Sequence, residues 1–202
     1  MLGSVGEGEV LVAFPARVEP LTEVRTTVLL ASQDALRTLG LHEAYVGAIE
    51  SHGDQLASLF AGAWVPADVA MAHYRACDRL ALPHAQIVDL GRMVSRSTHN
   101  LLAAAVVRMA RELGTTPWNA LSLADRFWAR SWRGSAVGVE RIAPKDAHIR
   151  IGGTPLAAVP YFRIALVGFC MAIAEIFGRK AFARHLPDEC GPTTLGYHLA
   201  WA

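Results

Sequence analysis

Charge of either sign is scarce in this sequence. Asp, Glu, Lys and Arg make up 18% of its 202 residues, and the formal balance is only +1 at pH 7. A chain so nearly neutral has no bulk attraction for nucleic acid or an anionic lipid surface, so neither is an expected partner. Cysteine is also sparse. Cys77, Cys170 and Cys190 stand far apart with no CxxC pair, which argues against a disulfide framework or a cysteine zinc cluster. Free thiols in apolar patterns suit a reducing, cytoplasmic setting. A long hydrophobic run is missing too. The greasiest stretch is uncharged only from Ile164 to Ala174, eleven residues, where a membrane span needs about 20. The opening "MLGSVGEGEV" lacks the basic start and apolar run of a secretory leader.

The usual marks of catalysis are absent as well. "GEGEV" precedes a strand instead of following one, so it is no phosphate loop, and Gly152–Gly153 reads as a strand end. Neither GxSxG nor HExxH occurs. Asp78, Asp89 and Asp125 are scattered on helices near arginines, as solvated ion pairs are. No two carboxylates are placed for acid–base work, so a non-enzymatic protein is expected.

Apolar residues, by contrast, are abundant: 52% of the chain, with a mean hydropathy of +0.27. That surplus needs a large core, a lined pocket or a subunit interface to hide in. A single domain is the default at this length.

Periodicity divides the chain in two. "EVLVAFPARV" (9–18) reads as a strand. From about Thr22 to Trp132 the spacing is helical, with Val24, Val28, Ala31, Ala35 and Leu39 on one stripe of the first helix. Short helices follow near 43–49 and 53–61, and another starts near Pro66 with Tyr74 and Cys77 inward. The longest helix is predicted over 84–113, with Ile87, Leu90, Val94, Leu101, Ala105 and Met109 on one face. Thr116–Pro117 then reads as an N-cap and first helical residue, opening a helix to about Trp132. Past Gly134 the pattern alternates around "APKD", which predicts a β-hairpin. A helix over 157–178 and two more strands, "KAFARHLP" and "LGYHLAWA", complete the chain. The predicted fold is α+β: a helical N-terminal half packed on an antiparallel sheet of four to five strands, with a helix crossing between two hairpins.

The crossing helix, "PYFRIALVGFCMAIAEIFGRK", is apolar nearly all round and must be covered on more than one side. Helix 84–113 is the expected second cover. Ala165, Gly168, Ala172 and Ala174 would allow close approach. Small residues there either close-pack or leave a void for a ligand. The expected lining of such a void is Leu101, Ala105, Met109, Phe162, Leu166, Phe169 and Cys170, with Arg163 or His99 as the polar anchor. An apolar small molecule or lipid would fit it. A homo-oligomer face is the other use of the surplus.

Eight histidines raise the question of metal. His73 and Cys77 lie one helical turn apart, but two ligands make no site and a partly buried histidine beside a core cysteine is the plainer reading. His99 could bind haem iron or act as a base, and reads more simply as a boundary residue. His185 and His198 could pair across the last hairpin, while His42, His52, His84 and His148 read as loop or exposed positions. Trp118, Trp128 and Trp132 are read as core. No metal and no cofactor is expected.

"WVPADVAMAHYRACDRLAL", "GTTPWNAL", "PYFRIALVGF" and "YHLAW" resemble a family of proteins of about this length found as many paralogues in myxobacteria. The resemblance covers the chain from about Leu29 onward and implies no particular activity. The element order is similar to haem–nitric-oxide-binding domains, vinyl-reductase-like sensors and TRAPP-like tethering subunits, folds that commonly enclose an apolar cavity between helices and sheet. Two departures stand out. The haem sensors' Tyr-x-Ser-x-Arg clamp and the phenol sensors' cysteine-rich zinc cluster are both missing.

Overall fold

Helical spacing gives way to alternation near Gly134, and the chain folds accordingly. The computed structural model describes residues 8–112, 116–177 and 180–202, apart from the side chains of 99–112. Strand β1 (Glu9–Val12) comes first, and a short β2 (Glu23–Arg25) runs directly into α1 (Thr26–Thr38). Then come α2 (His42–Gly47), α3 (Gly53–Ala57), β3 (Trp64–Pro66), α4 (Ala67–Arg79), α5 (His84–Glu112), α6 (Pro117–Leu121), α7 (Ala124–Ala129) and β4 (Trp132–Arg133). The hairpin β5 (Ala136–Ala143) and β6 (Asp146–Gly152) leads through a 3-10 turn, Pro155–Ala158, into α8 (Pro160–Glu175). Strands β7 (Ala181–His185) and β8 (Thr194–Trp201) close the fold.

The main sheet is antiparallel, in the order β1-β5-β6-β8-β7. Residues such as Val139, Ile149, Ile151, Leu195 and Leu199 alternate onto its buried face. Helix α8 lies between the two hairpins, and α5 lies against it. This is the α+β arrangement that the periodicity predicts. Among the described residues no helix is long and apolar enough to cross a membrane.

Several boundaries differ from the sequence reading. The helix expected from Thr22 begins at Thr26, because Val24 is drawn into a second sheet, β3-β2-β4, opposite Val65 and Trp132. No local signal marks three strands this short. At the other end Leu39 caps α1 just past its last turn and is 40% exposed instead of joining the buried stripe. The first strand stops at Val12, short of Pro15, which has no N–H to offer a ladder. The helix expected over 117–132 breaks into α6, α7 and β4. The helix expected from 157 starts at Pro160, where a missing N–H costs nothing, and ends at Glu175.

Two of the sequence motifs meet in space. Asp78, in "YRACDR", accepts a hydrogen bond from the backbone N–H of Tyr161, in "PYFR", at 2.8 Å. Asp78 was expected in a solvated ion pair. It instead supplies a carboxylate to the N-terminus of α8, where a negative charge is favoured.

Candidate functional site

The seam between α5 and α8 is where a ligand void was expected. At the described crossing it is close-packed. A Cβ on Gly168 would lie 1.8 Å from the carbonyl oxygen of Val88, and one on Gly91 would lie 1.9 Å from that of Ala165. Each helix contributes a glycine against the other's backbone. At the far end, Arg92 and Arg96 each reach Glu175 at 3.2 Å.

Phe162, Leu166 and Cys170 are buried, and Arg163 and Phe169 are half-buried. The Phe162 ring meets Tyr74 edge-on at 4.8 Å and Trp132 at 5.7 Å. Burial pushes the Cys170 thiol up to about 12. Tyr197 Oη donates to the carbonyl of Arg163 at 3.0 Å, tying α8 to β8. Leu101, Ala105, Met109 and His99 lie outside the residues whose side chains are described.

A second cluster sits inside the helical half. His73 is completely buried, not partly. Its Nδ1 is 2.8 Å from Tyr45 Oη and its Nε2 is 3.0 Å from Ser32 Oγ. Gln33 Nε2 donates to the Leu56 carbonyl at 3.1 Å. Cys77 Sγ lies 3.7 Å from His73 Nε2. A thiol beside an imidazole suggests a nucleophile, but desolvation forbids it. Burial lowers His73 to about 3 and raises the Cys77 thiol to about 12, so both stay neutral. The cluster is a satisfied polar knot in the core. Ser32 and Gln33 interrupt an otherwise apolar face of α1, a signal the sequence reading passed over; Tyr45 carried none.

The outer face of the main sheet holds a row of titratable groups. Glu140, His148, His198 and Arg184 stand in register across β5, β6, β8 and β7. His148, expected at a loop or exposed position, is on β6, largely covered, with Glu189 at 2.7 Å. His185 and His198, which could have paired across the last hairpin, do not: His185 stands opposite Tyr197, and His198 lies between His148 and Arg184. Asp146 is 3.2 Å from His198. Beside this row Phe14 lies over Gly138 and Gly152. The hollow there, lined by Val12, Phe14, Glu140, His148 and Arg150, is about 10 Å³, room for one water. Of the three tryptophans read as core only Trp132 is buried; half-buried Trp128 stacks on it at 5.1 Å, and half-buried Trp118 meets Trp201 at 4.5 Å.

No protein-family model matches the chain, and no curated protein matches it in sequence. The fold does have relatives among solved structures. An oxygen-binding H-NOX domain related to soluble guanylate cyclases superposes with a TM-score of 0.60 at 10% identity, covering 88% of this chain and 94% of that one. An H-NOX mutant from T. tengcongensis gives 0.61 at 10% identity over 88% and 97%. A structure from a study of haem distortion in the H-NOX family gives 0.62 at 10% identity over 88% and 94%. The likeness spans the main elements and is one of fold.

No described histidine or cysteine is both buried and free to act as an axial haem ligand. Both ring nitrogens of His73 are engaged in the core, and His52, His148 and His198 face carboxylates. His42, His84 and His185 are partly or fully exposed. The buried thiols of Cys77 and Cys170 stay protonated. Among the described residues no group of three or more metal-binding side chains exists. His99 is outside them.

Proposed function

We propose that this chain is a non-enzymatic sensory module that binds an apolar small molecule or lipid in place of haem. The observation that carries this reading is a mismatch. The chain shares the H-NOX fold over most of its length, yet among its described residues His73 is held in the core, His52, His148 and His198 face carboxylates, and the buried thiols of Cys77 and Cys170 stay protonated. The proposed pocket lies off the glycine crossing, between α5, α8 and the sheet. Its wall is Leu101, Ala105, Met109, Leu166, Phe169 and Cys170, with Phe162 behind, and Arg163 or His99 is the anchor. The free cysteines favour a cytoplasmic setting. Membership of the myxobacterial paralogues is proposed on the same motifs as before. Two of those motifs meet where the Tyr161 N–H donates to the Asp78 carboxylate.

The test combines native mass spectrometry of protein purified from its own host with haem titration and thermal melting. A co-purified lipophile, a melting temperature raised by a long-chain fatty acid, and no Soret band on adding haem are the expected results. Stoichiometric haem binding, or no shift with any lipophile, overturns the proposal.

A second reading, a homo-oligomerising scaffold, is favoured by one observation. Strand β7 is an edge of the main sheet and displays Phe182 at 61% exposure. Light scattering separates the two, since a monomer at high concentration removes the scaffold reading.

A further inference from the structure

The small sheet carries an arrangement that neither reading above uses. Alternation along its strands turns Val24 and Trp132 inward. It sends Glu23, Arg25, Trp64 and Arg133 to the outer side. Arg25 stands directly opposite Trp64, and Arg133 directly opposite Glu23. The guanidinium carbons of Arg25 and Arg133 lie 5.2 and 4.1 Å from the Trp64 ring centroid, so one indole holds two cations. Glu23 neutralises Arg133 at 2.6 Å. Among the described residues no carboxylate pairs with Arg25.

The loop before β3 adds an apolar element. Phe60 is 71% exposed. Its loop is pinned from below: buried Thr26 donates through Oγ1 to the carbonyls of Phe60 at 2.7 Å and Ala63 at 3.2 Å, and through its N–H to Ala63 at 3.0 Å. A Cβ on Gly62 would lie 3.7 Å from Nη2 of Arg25, so that guanidinium lies over the same loop. On the other flank, the N–H of Arg25 donates to Ser131 at 2.8 Å. The residue before Ser131, Arg130, holds its guanidinium 5.9 Å from the Phe127 ring.

The geometry points to a docking surface for an acidic segment of a partner protein on the outer face of this sheet. A carboxylate of that segment would meet Arg25, and an apolar side chain would lie against Phe60 and Trp64. Arginines already held on aromatic rings lose little freedom when a carboxylate arrives. Trp and Arg are also the residues that dominate interface energetics. Nucleic acid would present the same negative charge, but a phosphate backbone is bound by neutralising many phosphates at once. Here the whole chain carries +1, and one of the two arginines on Trp64 is already neutralised.

Fluorescence anisotropy on the full chain tests this. The probes are a dye-labelled peptide of alternating Glu and Leu, its Gln–Leu counterpart, and an oligothymidylate of equal length. The expected result is saturable binding of the acidic peptide that weakens with salt and exceeds that of both controls. Arg25→Glu should weaken it about tenfold or more, and Phe60→Ser should weaken it severalfold, with melting temperatures unchanged in both. Absence of saturable binding, equal binding of the Gln peptide, tighter binding of the oligothymidylate, or full affinity in Arg25→Glu overturns the proposal.

Discussion

Gly168 of α8 lies so close to Val88 of α5 that a methyl group on it would sit 1.8 Å from the Val88 carbonyl oxygen. The obstacle is backbone, which cannot rotate away as a side chain can. Gly168→Ala should therefore destabilise the protein by about 3 kcal/mol despite alanine's better helix propensity, lowering Tm by about 5–10 °C. Gly47→Ala is the control, because its Cβ would meet nothing within 4 Å; it should leave stability within about 0.5 kcal/mol. Urea unfolding of both variants checks this.

His73 makes stability depend on pH. Burial holds it neutral down to about 3 in the folded chain, against an ordinary value of 6.5. Between those two values the unfolded chain binds a proton that the folded chain does not. Stability therefore rises with pH across this window and falls as the solution is acidified below about 6.5. Going from pH 7 to pH 5 should cost about 2 kcal/mol through this residue. The urea midpoint measured at both pH values, in the wild type and in His73→Gln, isolates the contribution: the variant should show a shallower dependence.

The thiols should divide by burial. Cys77 and Cys170 are buried and pushed up to about 12, while Cys190 is half-buried. Ellman's reagent on the native protein should modify Cys190 alone at pH 8. All three should react once the chain is unfolded. A second fast thiol in the native state would show that the core around α8 opens readily.

Phe14 makes two glycines unequal. A Cβ on Gly138 would come 2.7 Å from the Cβ of Phe14 and 3.1 Å from its Cα, whereas a Cβ on Gly152 would meet the ring tip, Cζ, at 2.7 Å. The ring tip can move and the backbone cannot. Gly138→Ala should cost about 1–3 kcal/mol, and Gly152→Ala less than half of that. The reverse order in denaturant unfolding would mean that Phe14 is not seated across these strands.

Much of the fold was legible because its signals are local. The turn residues of "APKD" and the alternation around them place the first hairpin, and Pro117 marks a helix start where its missing N–H does no harm. The need for two covers on α8 followed from its lack of a polar face, and Gly168 and Ala165 were the right residues for the close approach. Less of the site was legible. Whether small residues close-pack or leave a void depends on where two helix axes cross, which no spacing encodes. The small sheet was missed because strands of two and three residues carry no period. Asp78 looked like any surface carboxylate until α8 folded with its N-terminus against it.

Period and punctuation along the chain were enough for the kind of fold and for its main helices and main-sheet strands in order, since their signals lie between residues close in sequence. Only tertiary packing decided that the helix seam closes at two glycines, that His73 and Cys77 are silenced in the core, and that Arg25, Trp64 and Arg133 gather on one face. Those outcomes depend on desolvation and on distances between segments far apart in the sequence, and such distances exist only once the chain has folded.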